Sequence, residues 1–323
     1  MTNLYLDLRD GDHVRLPARD GLPEAVHVLD EDSILAVNAA LATRRPLLVR
    51  GEPGTGKSQL ARAAAEALGR AFVPHAVDGR TETRDLLWSV DAVARLAEAQ
   101  IMGALHHVEH DEVRRRIDII EFVQPGPLWW AFDWASAQAQ AQRAGADMPV
   151  VPEGWTPERG AVVLVDEIDK ADSAIPNGLL DALGHGRFEV PGRAPVALDR
   201  ARPPLVVITT NEERALPDAF LRRCLVLHLA LPVEAGALTK ALIVRARAHF
   251  PTCAIAVLER AAALLANDRD ELHRQDLAPP GLAEYIDLVR AVIEQRTEET
   301  EQLALLERIA RFALRKHPPE ASR

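Results

Sequence analysis

The chain has 323 residues, 48% hydrophobic and 27% charged, which is long enough for two units with cores of their own. No apolar run approaches the roughly 18 residues of a membrane span, and the start, MTNLYLDLRDGDH, has neither the basic nor the apolar region of a secretory signal, so a cytoplasmic protein is expected. Two cysteines, Cys224 and Cys253, exclude a disulfide framework, and a formal net charge of −10 disfavours nucleic acid as the first partner.

Residues 1–29 read as an irregular N-terminal segment. Asp30 to Asp32 offer caps for an amphipathic helix through Ile34, Val37 and Leu41 that stops before Pro46. A strand, Pro46 to Arg50, leads into GEPGTGKS, after which QLARAAAEAL has helical composition and spacing. The strand AFVPHAV and a helical stretch through Leu86, Trp88, Val93 and Leu96 continue the alternation of β and α that predicts a doubly wound parallel sheet. The stretch around 81–160 exceeds one strand and one helix, so it carries an insert. Within it IDIIEFV reads as a strand, GPLWWAFDWASAQAQAQRA as one helix and GADMPVVPEGWTPERG as a surface loop. AVVLVDEID is the next strand, and a helix follows through Ile175, Leu179, Leu180 and Leu183. FEVPGRAPVAL reads as a hairpin turning at Pro-Gly, and PPLVVITTN and CLVLHLAL as further strands. Beyond Pro232 only helices are predicted, at about 234–249, 254–267, 280–295 and 298–315. The expected division is thus an α/β nucleotide-binding domain over 30–232, an all-helical lid domain over 233–316 and a disordered tail over 317–323.

Gly51 to Ser58 satisfy the P-loop pattern in full. Glycines let the backbone curl so that its N–H groups converge on phosphate oxygens, and the helix that follows adds the positive end of its dipole. Gly51, Glu52, Pro53, Gly54, Thr55, Gly56, Lys57, Ser58 and Gln59 are therefore expected to bind ATP, with Lys57 reaching the β- and γ-phosphates and Ser58 ligating Mg²⁺. VVLVDEID delivers Asp166 and Glu167 at the carboxyl end of a buried strand, where ligands of open α/β sheets bind. Asp166 suits the Mg²⁺ shell and Glu167 the activation of water, although an N-cap is the rival reading of such a pair. Asn211 ends a third apolar strand, where it either helps to hold that water or, with Thr209 and Thr210, caps a turn. In LPDAFLRRC, Arg222 and Arg223 are either helix-end cations or arginine fingers for a neighbouring subunit.

In this order, GEPGTGKS, VVLVDEID, ITTN and LPDAFLRRC followed by helices resemble the AAA+ superfamily over roughly residues 30 to 316. DLLWSVDAVARLAEAQ, QPGPLWWAF, DEIDKAD, GRFEVPG and NEERALPDAFLRRC resemble its MoxR-like branch. The resemblance implies a five-stranded core sheet, a helical lid, a hairpin ahead of the Asn211 strand and a ring, usually hexameric, with Arg223 as the finger and Arg222 as its neighbour or substitute. It also implies a chaperone-like role toward a client protein, often beside a von Willebrand factor A-domain protein. One departure stands out: where many AAA+ proteins carry a nucleotide-sensing arginine the sequence reads APPGLAEYIDLV, and Arg274 upstream is out of register.

Other clusters have plainer readings. His106, His107, Glu109 and His110 do not form HExxH and fit a solvated helix better than a metal site. Arg114 to Arg116 are flanked by acids, and Trp130 and Trp134 suit core packing at i, i+4. Two functional alternatives remain beside protein remodelling: a nucleic-acid motor acting through the hairpin, where only Arg187 and Arg193 supply charge, and a slow nucleotide-dependent assembly switch.

Overall fold

The computed structural model describes residues 4–19, 21–105, 109–171, 174–275 and 277–314. The N-terminal segment carries two short strands, β1 (His13–Leu16) and β2 (Ala25–Val28), paired antiparallel. At four residues each they are too short for a period-two pattern to stand out, which is why the sequence reads as irregular there. Helix α1 (Glu31–Thr43) begins where Asp30 accepts the Ser33 N–H at 2.8 Å, an N-cap bond that satisfies one orphan donor. Strand β3 (Leu47–Arg50), helix α2 (Lys57–Leu68) and strand β4 (Ala71–Ala76) follow as expected.

The insert departs from expectation in three places. Trp88 lies not in a helix but in β5 (Trp88–Val90), after which α3 (Ala92–Ala104) and α4 (His110–Arg116) form. IDIIEFV is mostly a 3₁₀ turn, Ile119–Phe122, and only its last residue enters β6 (Val123–Pro125), the antiparallel partner of β5. The tryptophan-rich helix is two helices, α5 (Pro127–Phe132) and α6 (Trp134–Ala144), because Asp133 turns to φ −149° and caps α6 through the Ser136 N–H.

Next come β7 (Ala161–Asp166), α7 (Ala174–His185), and the hairpin β8 (Arg187–Phe188) and β9 (Val196–Ala197). Then follow β10 (Leu205–Thr210), α8 (Asp218–Leu221) and β11 (Leu225–His228). The C-terminal helices are α9 (Ala235–His249), α10 (Ile255–Arg274), α11 (Leu282–Ile293) and α12 (Glu299–Ala313). Among the described residues no helix is long and apolar enough to cross a membrane.

The five-stranded parallel sheet has the order β11-β3-β10-β7-β4. β10 and β4 both run parallel to β7, with Leu205 opposite Val162 and Ala71 opposite Ala161. β11 follows β3, since Leu225 N–H donates to Pro46 O and Leu229 N–H to Arg50 O, each at 2.8 Å. Strands buried on both faces need apolar residues throughout, and AVVLV and LVVITT supply them.

The chain forms two compact units, one containing Leu35–Val49 and Ala61–Leu227, the other Leu8–Ile34, Arg50–Leu60 and the chain from His228 onward. The first has a core in which Leu128, Trp129 and Phe132 are buried with Val163, Val165 and Ile208. The second is centred on Leu242, Leu258, Tyr285 and Leu306. Each such side chain contributes about 1.5–3 kcal/mol through removal from water. Tyr285 keeps its hydroxyl satisfied by donating to Leu258 O at 3.1 Å.

Candidate functional site

The loop between β3 and α2 holds the P-loop residues, and its shape follows from its glycines. Gly51 has φ 151°, and a Cβ there would lie 2.2 Å from the Leu229 carbonyl oxygen. Gly56 has φ 97°, with the His27 ring 3.4 Å from its Cβ position. Gly51 has no room for a side chain, and at Gly56 the positive φ rather than space disfavours one. Lys57 is buried, and its ammonium donates to the Gly51 and Glu52 carbonyls at 2.7 and 2.8 Å. Thr55 Oγ1 donates to Glu52 O at 2.9 Å, which closes the turn. Ser58 is half-buried in the first turn of α2, and Gln59 is exposed beside it.

The C-terminal helices of the same compact unit grip this loop. Ala283 N–H donates to Gly54 O at 3.1 Å, and Glu284 caps its own helix by accepting the Gly281 N–H at 2.9 Å. Arg269 of α10, with a side chain 7% exposed, pairs with the Glu52 carboxylate at 2.9 Å and donates to Pro280 O at 2.6 Å. Arg274 ends α10 and is exposed. Beneath Gly56, His27 is buried; burial above all, then the charge of Arg245, lowers its pKa to about 4, against the opposing pull of Asp30 and of a hydrogen bond with the Gln59 side chain. It is a neutral imidazole at neutral pH.

The acidic residues are organised by β7 and β10. Thr209, fully buried on β10, donates its hydroxyl to Asp166 Oδ1 at 2.5 Å and accepts the Glu167 N–H at 2.9 Å. That second bond helps to hold Glu167 at φ 59°, a left-handed conformation that is uncommon outside glycine. Glu167 is thereby aimed between two donors, Asn211 Nδ2 at 2.9 Å and Lys170 Nζ at 2.5 Å. Glu167 raises the Lys170 pKa and keeps the amine charged. Asp169, buried, accepts the Glu213 N–H at 2.9 Å and so fixes the segment after Asn211. The sequence points to Asp166, Glu167 and Asn211, which the fold brings together, and to Thr209 only as a turn residue; it does not mark Lys170, Asp169, Arg269 or His27.

Arg222 and Arg223 are exposed just past α8, between buried Phe220 and buried Cys224, whose thiol burial pushes up to about 12. The remaining clusters are structural. Glu109 and His110 are exposed, while His106 and His107 lie outside the described residues, as does the 317–323 tail. Arg115 and Arg116 pair with Glu112 at 2.6 and 2.9 Å. Trp130 and Trp134 pack 4.9 Å apart, centre to centre, across the break between α5 and α6. Arg193 of the hairpin sits 4.7 Å above the Trp129 ring.

A search of curated proteins finds no match. Among solved structures, a point mutant of RuvB from Thermotoga maritima is 16% identical, covering 86% of this chain and 68% of its own at a TM-score of 0.44. A protein from Cytophaga hutchinsonii described as a candidate ATPase is 14% identical, covering 86% of this chain and 78% of its own at a TM-score of 0.38. The sequence matches the family described as AAA domain (dynein-related subfamily) over residues 46–224, more than half of its length. Carrying that match together with a P-loop and a five-stranded parallel sheet, the chain belongs to that AAA family and is, in general terms, an ATP-hydrolysing P-loop protein.

Proposed function

We propose that this protein is a MoxR-type ATPase that assembles into a ring, a hexamer by resemblance, and spends ATP to remodel or assemble a client protein. In this reading Gly51 to Gln59 cradle the phosphates through backbone N–H groups, and Lys57 exchanges its two carbonyl partners for the β- and γ-phosphates. Ser58 and Asp166 would hold Mg²⁺. The donor chemistry fits: a hydroxyl and a carboxylate are hard oxygen ligands, and Mg²⁺ prefers one or two such groups plus phosphate and water to an all-protein cage. When bound, the ion neutralises charge on the β- and γ-phosphates.

Glu167 accepts the proton of the attacking water, Asn211 orients that carboxylate, and Arg223, with Arg222 beside it, is lent to the neighbouring subunit's site. The observation that carries the reading is the Asn211–Glu167–Lys170 array, in which a carboxylate at a β-strand end is oriented from both sides rather than used as a helix cap. The hairpin lends no support to a nucleic-acid motor, since one of its two arginines is stacked on Trp129.

Two variants test the site. Lys57→Ala should lose tight ATP binding, and Glu167→Gln should bind ATP but not turn it over, because an amide cannot take the proton. Undiminished hydrolysis by Glu167→Gln would place the base elsewhere. Purification from the native cell with the Glu167→Gln trap should retain the client, which a von Willebrand factor A-domain protein would fit.

A further inference from the structure

We propose that Arg45 is the positioning residue for the Arg222–Arg223 pair, and so acts on a neighbouring subunit's reaction rather than on its own. The inference rests on the reading of Arg223 as a residue donated in trans. Its basis is a set of three contacts made by one guanidinium. Arg45 Nε donates to Arg223 O at 3.1 Å, while Nη2 donates to Cys224 O at 3.0 Å and to Arg222 O. These are the carbonyls of three successive residues, 177 to 179 positions further along the chain.

Carbonyls past the end of a helix have no partner within it, and α8 is only four residues long. Its exit would therefore be soft without an external donor. Arg45 supplies one in a form no other side chain can, since the guanidinium is a rigid planar fork of five N–H groups. The fork is itself anchored. The next residue, Pro46, is buried and accepts the Leu225 N–H at 2.8 Å, so the guanidinium prolongs the β3–β11 ladder by one rung beyond the strands. Phe220 and Cys224, 0% and 5% exposed, pin the segment on either side. Between these three restraints stand two exposed arginines whose backbone is fixed at every carbonyl. A cation that must reach a transition state on another molecule requires a fixed base, because a misplacement near 1 Å can cost about 100-fold in rate.

The test uses the full chain at ring-forming concentration, with ATP turnover and nucleotide affinity read separately. Arg45→Ala should lower turnover about 10- to 100-fold and leave affinity within about twofold. Arg45→Lys, which offers a point charge in place of a fork, should fall between Arg45→Ala and the unsubstituted protein. Mixed rings then separate positioning from a structural staple. Arg45→Ala mixed with Lys57→Ala should regain turnover, because the intact P-loop of one variant faces the intact arginines of the other. Arg45→Ala mixed with Arg223→Ala should not, since neither lends a competent cation. Recovery in that second mixture would overturn the proposal, as would wild-type turnover of Arg45→Ala beside an inactive Arg223→Ala. If Arg45→Ala folds poorly, mixtures made with Arg45→Lys take its place, and recovery or its absence has the same meaning there. An active Arg223→Ala would instead overturn the reading of donation in trans, and this proposal with it.

Discussion

Asn211 donates its side-chain amide to the Glu167 carboxylate at 2.9 Å, across 44 residues of sequence. The bond leaves Glu167 with a defined direction, which matters only if the carboxylate must meet a particular water. Replacing Asn211 with alanine should therefore reduce ATP turnover about 10- to 100-fold while nucleotide affinity stays nearly constant. Steady-state kinetics beside a nucleotide titration separates the two quantities. An equal fall in both would make Asn211 a binding residue instead.

Thr209 is the hidden member of the same array. Its hydroxyl both donates to Asp166 and accepts from the Glu167 N–H, and the side chain is fully buried. Thr209→Val keeps the shape and removes both bonds, so it should cost about 1–3 kcal/mol in a denaturant titration and loosen the left-handed turn at Glu167. Thr209→Ser should recover most of that loss. If valine is as stable as threonine, the hydroxyl does not hold Glu167.

Acid should weaken the fold through His27. The unfolded imidazole takes up a proton below about 6.5, the folded one only near 4, so protons favour the unfolded chain between those values. Stability is complete above pH 6.5 and should decline by on the order of 3 kcal/mol by pH 4. His249 and His75 are shifted downward by burial too and act in the same direction. His27→Gln should flatten the dependence of the urea midpoint on pH between 7 and 5. An unchanged slope would show that His27 takes up its proton alike in the folded and unfolded chain.

Gly51→Ala should damage the P-loop outright. The new methyl would lie 2.2 Å from the Leu229 carbonyl oxygen, and both groups belong to backbone that cannot simply rotate away. Loss of nucleotide binding with a destabilisation of roughly 1–3 kcal/mol or more is expected from calorimetry and thermal melts. Wild-type values in both would mean that the loop adopts another course.

The parts of this site that could be read in the sequence are those whose chemistry demands adjacent residues. Gly51 to Ser58 and Asp166-Glu167 each follow an apolar strand directly, so spacing and composition sufficed. Asp133 could have been found as well, since aspartate is a preferred N-cap residue, but the apolar spacing on either side runs on unbroken and hides it. Strands β5 and β6, three residues each, gain their identity only from pairing with one another, and no local pattern records that. The same holds for Thr209, Arg45 and Arg269, which reach Glu167, Cys224 and Glu52 at separations of 42, 179 and 217 residues.

Arg50–Leu60 belongs to the same compact unit as α10 and α11, and Arg269 and Ala283 tie it there through Glu52 and Gly54. The loop and the first turn of α11 should consequently open together, as one cooperative patch in amide hydrogen exchange. Nucleotide that binds the closed loop raises the cost of opening by RT ln(1 + [L]/Kd), and the helices share that increment although they need not touch the ligand. Slowed exchange in α11 on addition of ATP would thus report occupancy at a distance, and Arg269→Ala would weaken the report, since of these two ties only the Ala283–Gly54 bond would then hold.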